Sequence, residues 1–178
     1  FYSNYLLAFV YIIINAIILN EIKLMKANSK SKLILNIAVF IIIFTFFTFV
    51  LLKVTEVINQ ILILKIIITI WLFDSFSYIG GKLLGGKKLI PSISAGKTVN
   101  GLLIGISFTL LFMQIYEIMT TGFSFNSIIL TSIIILLAFI GDLSASLIKR
   151  LSSLKDSGSV MPGHGGLLDR LDSFIGVF

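Results

Sequence analysis

The sequence contains no cysteine. Disulfides, thiolate nucleophiles and cysteine-bound metals are thereby excluded, and a single histidine, His164, leaves carboxylates as the main candidate ligands for any metal. Charge is scarce as well. Asp, Glu, Lys and Arg make up 12% of the 178 residues, against about 25% in soluble domains, while hydrophobic residues make up 57%. That balance argues against a soluble globular fold. Lys and Arg number 14 against 8 Asp and Glu, a net charge of +6. In a soluble protein this excess would raise nucleic acid as a partner; here a membrane explains it better, and no nucleic acid is expected. At about 20 residues per helical span, the length admits at most about six spans and no extramembrane domain with its own core. The chain starts at Phe1 rather than Met, so the expectation is a processed chain or a fragment, with N-terminal spans and part of the last span missing.

What is present is a series of long apolar runs: Phe1 to Asn20, Leu33 to Leu52, Val57 to Phe73, Gly101 to Met119 and Asn126 to Gly141. These predict an all-α polytopic membrane protein of about five spans, with a sixth beginning at Ser173. The first run lacks a basic leader and a small-residue cleavage site, so it reads as a span and not as a secretory signal. Residues 1–178 are read as one membrane-embedded domain. The loops divide the basic residues unevenly. Residues 21–32 hold Lys23, Lys26, Lys30 and Lys32; residues 74–100 hold Lys82, Lys87, Lys88 and Lys97; residues 149–172 hold Lys149, Arg150, Lys155 and Arg170. The intervening loops hold Lys53 and none. Because cytoplasmic loops retain Lys and Arg, this alternation predicts an outside N-terminus and three cytoplasmic loops.

Two of those loops carry the chemistry. The segment 74–100 is glycine-rich and basic, with Gly80-Gly81 and Gly85-Gly86 where a backbone can approach a ligand closely and lysines that can neutralise phosphate. A flexible loop facing anionic headgroups explains most of the same lysines. Ala95-Gly96-Lys97-Thr98 lacks the preceding strand and glycine run of a P-loop, and that reading is rejected. The segment 142–172 is denser, with eight of the chain's 22 (14 + 8) charged residues. Asp142 is expected to close the fifth span, where a carboxylate is costly unless it pairs with a cation or meets water. Asp169 and Asp172, three apart, fall on one face of a helix starting after Gly166; a divalent cation would relieve their repulsion, as would Arg170 or Lys155. His164 sits among Gly163, Gly165 and Gly166, which allows backbone N–H groups and the imidazole to address one anion. Lys149 and Arg150 either snorkel to the interface or take phosphate. Lys65, inside the third run, either snorkels or pairs with Asp142 or Glu117.

Ser146-x-Ile148-Lys149-Arg150-x4-Lys155-Asp156-x-Gly158, followed by Pro162-x-His164-Gly165-Gly166-Leu167-x-Asp169-Arg170-Leu171-Asp172, resembles the signature of the phosphatidate cytidylyltransferases, also called CDP-diglyceride synthases. Asp74-Ser75 with Gly81-Lys82, Ser94-x-x-Lys97-Thr98 and Gly141-Asp142-Leu143 are similar to that family too. The resemblance covers Trp71 to Gly101 and Gly141 to Ser173. It departs from the family at Met161, where Leu, Ile or Phe is expected and the swap preserves volume, and at Asn100, where a Glu or Gln is usual.

The resemblance implies transfer of a cytidylyl group from CTP to phosphatidate, giving CDP-diacylglycerol and pyrophosphate for phospholipid biosynthesis. It implies Mg²⁺ as cofactor, with a second, monovalent cation kept open, and CTP, phosphatidate and membrane lipid as partners, with a homodimer also kept open. It places the protein in a bacterial inner membrane with a cytoplasmic active site. Metal is then expected at Asp142, Asp169 and Asp172, and catalytic contacts at Asp142, Asp169, Lys149, Arg150, Lys155, His164 and Arg170. Substrate contacts are expected at Asp74, Lys97, Ser146, Asp156, Gly165 and Gly166. The attacking phosphate has a second pKa near ~6 and is largely dianionic at neutral pH, so no general base is needed. What is needed is cations to bring two polyanions together and to stabilise the departing pyrophosphate. Two rival readings remain: a CTP-dependent polyprenol kinase, which resembles the 74–100 segment but lacks the later signature, and a small transporter built on Lys65, Glu117 and Asp142.

Overall fold

A computed structural model of the chain describes residues 13, 16–18, 20–21, 60–154, 156–157, 166–167, 169, 172–173 and 177. Ile13, Ala16, Ile17, Ile18, Asn20 and Glu21 are helical. The rest of the first apolar run, the run Leu33 to Leu52, and Lys155, His164, Gly165 and Arg170 lie outside the described residues.

Three helices form the described body: α1 (Gln60–Leu84), α2 (Val99–Thr120) and α3 (Phe125–Leu151). Each contains a stretch long and apolar enough to cross a membrane, and the protein is an integral membrane protein. Leu103, Leu111, Ile118 and Leu136 are all more than half exposed, which in lipid costs nothing. A small core of Ile70, Ile134 and Ala138 lies between α1 and α3, with Ile66 and Val177 packed against it.

The structure corrects three expectations. The third span does not end at Phe73, because α1 runs on to Leu84 and takes in Asp74, Gly80 and Gly81. Hydropathy falls there since one face turns polar: Asp74, Ser77, Tyr78 and Gly81, at helical spacing, line a cavity. The fifth span does not close at Asp142, because α3 continues to Leu151 and places Asp142 and Lys149 two turns apart on one face. The fold is also not purely helical. Between α1 and α2, β1 (Lys88–Ile90) pairs antiparallel with β2 (Ser94–Thr98) through Lys88↔Thr98 and Ile90↔Ser94, with an irregularity between them. Pro91 sets the turn between them, and the Ile93 N–H donates to the Ile90 carbonyl at 3.1 Å.

The α1–α2 contact is the closest in the body and explains why glycines are tolerated inside helices. Gly101 and Gly105 on α2 are four apart, a spacing that lets membrane helices approach. A methyl group on Gly101 would stand 2.5 Å from the Ser77 carbonyl oxygen, and one on Gly105 would meet Ser77 Oγ and the Phe73 ring. Gly80 faces Ile104 in the same way, at 2.7 Å. Thr98 caps α2, its hydroxyl accepting from Gly101 N–H at 3.1 Å, and so turns the strand into the helix. Asn100, the departure noted above, lies against Gly86 in the turn that ends α1, where φ is +97°.

Filling this seam is expected to part the helices. Gly105→Leu should lower the thermal unfolding midpoint in detergent, at a cost of about 1–3 kcal/mol or more from overpacking. Gly96→Ala, where an added methyl meets nothing, should leave the midpoint unchanged. Equal midpoints for both variants would refute the close approach.

Candidate active site

At the end of the body where α1 stops, α2 starts and α3 stops lies a cavity of about 530 Å³. Its walls are partly apolar, with Phe73, Leu102 and Phe139, and partly charged, with Asp74, Asp142, Asp172, Lys82, Lys88 and Lys97. Every element contributes. The hairpin delivers Lys97, whose ammonium pairs with Asp142 on α3 and stands 5.1 Å from the Phe139 ring centre. Asp142 therefore meets the cation its position demands. Asp74 accepts from the Ser173 hydroxyl at 3.0 Å, joining α1 to the last described segment.

Asp172 is the least compensated of these acids. Burial pushes its carboxyl up to about 7; the nearby Asp142 and, more weakly, Asp74 charges add to this, while Lys149 and the Ser173 N–H oppose it.

Asp169, expected beside Asp172, faces elsewhere. Its Oδ1 accepts from Lys149 Nζ at 2.6 Å, and its Oδ2 accepts from the N–H groups of Ser157 at 2.8 Å and Gly166 at 3.0 Å. Burial alone would raise this carboxyl, but these three donors outweigh it and hold Asp169 below the usual carboxylate range. Both its oxygens are thus engaged by protein donors, and it does not line the cavity. Among the described residues, no three acids or histidines converge closely enough to make a complete metal site.

Arg150 also has backbone partners. Its Nε donates to the Ile93 carbonyl at 3.1 Å and its Nη1 to the Leu154 carbonyl at 3.2 Å, so it ties the hairpin turn to the end of α3. Ser146 lies one turn beyond Asp142 on α3, Asp156 is exposed, and Gly166 is buried. Neither Ser146, Asp156 nor Gly166 lines the cavity. Lys65 is resolved in favour of Glu117, at 2.7 Å. That pair sits near the opposite end of α1 and α2: Lys65 is nine residues, about 13 Å, from Asp74 on α1, and Glu117 is 15 residues, about 22 Å, from Leu102 on α2, so Lys65 does not pair with Asp142.

Two features had little signal in the sequence. Lys82 and Lys88 stood among the loop lysines without distinction, and only the helix and hairpin turn them to the cavity. Glu21, a lone acid after the first apolar run, had no signal at all. It is 2% exposed and contacts Ser157 and Leu167.

The Asp172 environment generates a pH test. In metal-free buffer a carboxyl raised to about 7 keeps its proton in the folded protein well above the ordinary carboxylate pKa. The folded state then binds more protons than the unfolded state, and stability falls as pH rises toward 7. Asp172→Asn removes this loss, so its gain in thermal midpoint over the unmodified protein should be larger at pH 8 than at pH 5. An equal gain at both would contradict the raised carboxyl.

The model of the cytidylyltransferase family matches residues 2–178. The chain is 42% identical over 130 residues to a phosphatidate cytidylyltransferase of Rickettsia typhi, covering 68% of this chain and 57% of that protein. It is 42% identical over 127 residues to one of Rickettsia bellii, covering 66% and 54%. It is 40% identical over 116 residues to one of Staphylococcus haemolyticus, covering 64% and 44%. The chain thus spans about half the length of these relatives. With its family match running from end to end and its acids and lysines gathered at one mouth of a three-helix body, the chain belongs to the cytidylyltransferase family.

Proposed function

We propose that this chain forms the nucleotidyl-transfer part of a phosphatidate cytidylyltransferase. A phosphatidate phosphate oxygen attacks the α-phosphorus of CTP; the new P–O bond gives CDP-diacylglycerol, and the bond to the β-phosphate breaks to release pyrophosphate. The observation that carries this reading is the cavity, where lysines from α1, β1 and β2 meet carboxylates from α1, α3 and the segment after α3 at the end of an apolar body. Such a place admits a water-soluble nucleotide and a lipid headgroup whose acyl chains stay in the membrane. Lys82, Lys88 and Lys97 neutralise phosphate oxygens as the two polyanions approach.

The donor set suits Mg²⁺, a hard cation that takes one or two carboxylates and completes its shell with water and phosphate. Asp142 and Asp172 would hold it, with Asp74 beside them, and Asp172 fits because its surplus negative charge lacks a full partner. When bound, Mg²⁺ screens the phosphates and stabilises the leaving pyrophosphate. Lys149, oriented by Asp169, supplies positive charge next to Asp172.

The reading includes five spans and the start of a sixth, an outside N-terminus, and an active site facing the cytoplasm of a bacterial inner membrane. Its support is the alternation of basic loops together with three contacts at one end: Glu21 to Ser157, Ile93 to Arg150 and Asp74 to Ser173.

With CTP, phosphatidate and Mg²⁺, the protein should release pyrophosphate and form a CDP-lipid, and Asp142→Asn should lower the rate at least ~100-fold while still inserting in the membrane. Release of CDP in place of pyrophosphate would identify a kinase and overturn the proposal. The topology has its own test, free of background because native cysteines are absent. Thr120→Cys should react with an impermeant thiol reagent added outside cells, and Lys87→Cys only after lysis. The reverse pattern would invert the orientation.

A further inference from the structure

The cytoplasmic acids do not all belong to the cavity. Beside it a second cluster joins the end of the first apolar run to the segment after α3. Glu21 Oε1 accepts from the Leu167 N–H at 2.7 Å, and Glu21 Oε2 stands 3.0 Å from Ser157 Oγ. Asp169 Oδ2 stands 3.0 Å from the same hydroxyl. Ser157 has one hydroxyl proton, so the two carboxylates share it. The crowding is built in: a methyl group on Gly166 would lie 2.6 Å and 2.8 Å from the two Glu21 oxygens and would collide with Ser157 Oγ. Only a glycine at 166 lets Glu21 reach its partners.

We infer that Glu21 is a positioning residue for the transfer site, acting through Ser157 and Leu167 on the Asp169–Lys149 pair. The sequence of contacts is continuous. Glu21 fixes the backbone at Leu167 and the Ser157 hydroxyl; Ser157 and Gly166 hold Asp169; Asp169 holds Lys149, whose charge bears on Asp172 at the cavity. Glu21 itself does not line the cavity. The first apolar run therefore contributes to the site through one buried carboxylate about 136 positions away in sequence from Ser157. Its loss leaves a buried amide and hydroxyl short of an acceptor, which loosens the segment that aims Lys149.

This inference rests on the proposed function for its kinetic part, and its structural part stands alone. The test compares the unmodified protein with Glu21→Ala, Glu21→Gln and the exposed neighbour Asn20→Ala, all in detergent. Hydrogen exchange is measured on the peptide containing Ser157 to Leu167, and kcat and KM with CTP and phosphatidate. Glu21→Ala should speed exchange in that peptide and lower kcat at least ~10-fold, with KM for CTP within ~3-fold because the cavity wall is intact. Glu21→Gln, whose amide oxygen still accepts from Leu167, should fall between Glu21→Ala and the unmodified protein in both readouts. Asn20→Ala should match the unmodified protein. Unchanged exchange in Glu21→Ala would overturn the inference, and so would faster exchange with unchanged kcat, which would make Glu21 a structural residue only. If the unmodified protein makes no CDP-lipid, the proposed function has failed, and the exchange data still decide whether Glu21 holds the segment.

Discussion

Carboxylates gathered at the end of an apolar helical body must each find a partner or keep a proton, and this constraint organises the structure. Asp142 receives Lys97 and Asp169 receives Lys149, while Asp172 is left beside two like charges and is pushed toward its neutral form. The imbalance is local and one-sided. Lys65 and Glu117 neutralise each other near the opposite end of the same helices. The cavity thus holds one acid, Asp172, that is not in an ion pair of its own, although three lysines line the same walls.

Delivering the cations depends on backbone geometry. Lys97 reaches Asp142 because a five-residue strand ends at Thr98, whose hydroxyl caps α2, so that the residue before the cap points across the cavity mouth. The hairpin is held from outside by Arg150, which spends its guanidinium on two carbonyls. The seam of Gly80, Gly101 and Gly105 sets how closely α1 and α2 approach, and so how near Asp74 and Lys97 come to each other. Packing of small residues in the membrane and placement of charges at its surface are thus one mechanical unit.

The acids of the signature divide into two groups with different work. Asp142 and Asp172 face the cavity, while Asp169 faces the protein and orders Lys149. Glu21 belongs with Asp169: from just after the first apolar run it meets Ser157 and Leu167, next to the Ser157 and Gly166 groups that hold Asp169. In the proposed site, residues contiguous in the chain divide into acids that line the cavity and an acid that holds Lys149, and the latter shares a hydroxyl with a residue far from the motif.

The membrane character and the polar identity of the site were legible in the sequence, because they rest on composition and run length. Asp142, Lys149, Asp169 and Asp172 were likewise legible as charges of one segment. The ends of the spans were not: Asp74 and Asp142 lower hydropathy, yet each sits within a helix that continues because its polar face has a cavity to line. Nor were the pairings. Lys65 had two acids open to it, Asp169 and Asp172 shared a spacing but not a partner, and Glu21 stood alone. The sequence by itself determined which chemistry is affordable, since that depends on residue types and their local order. Only the tertiary structure decided which charge meets which, because a salt bridge or a shared hydroxyl depends on distances between segments that spacing along the chain does not constrain.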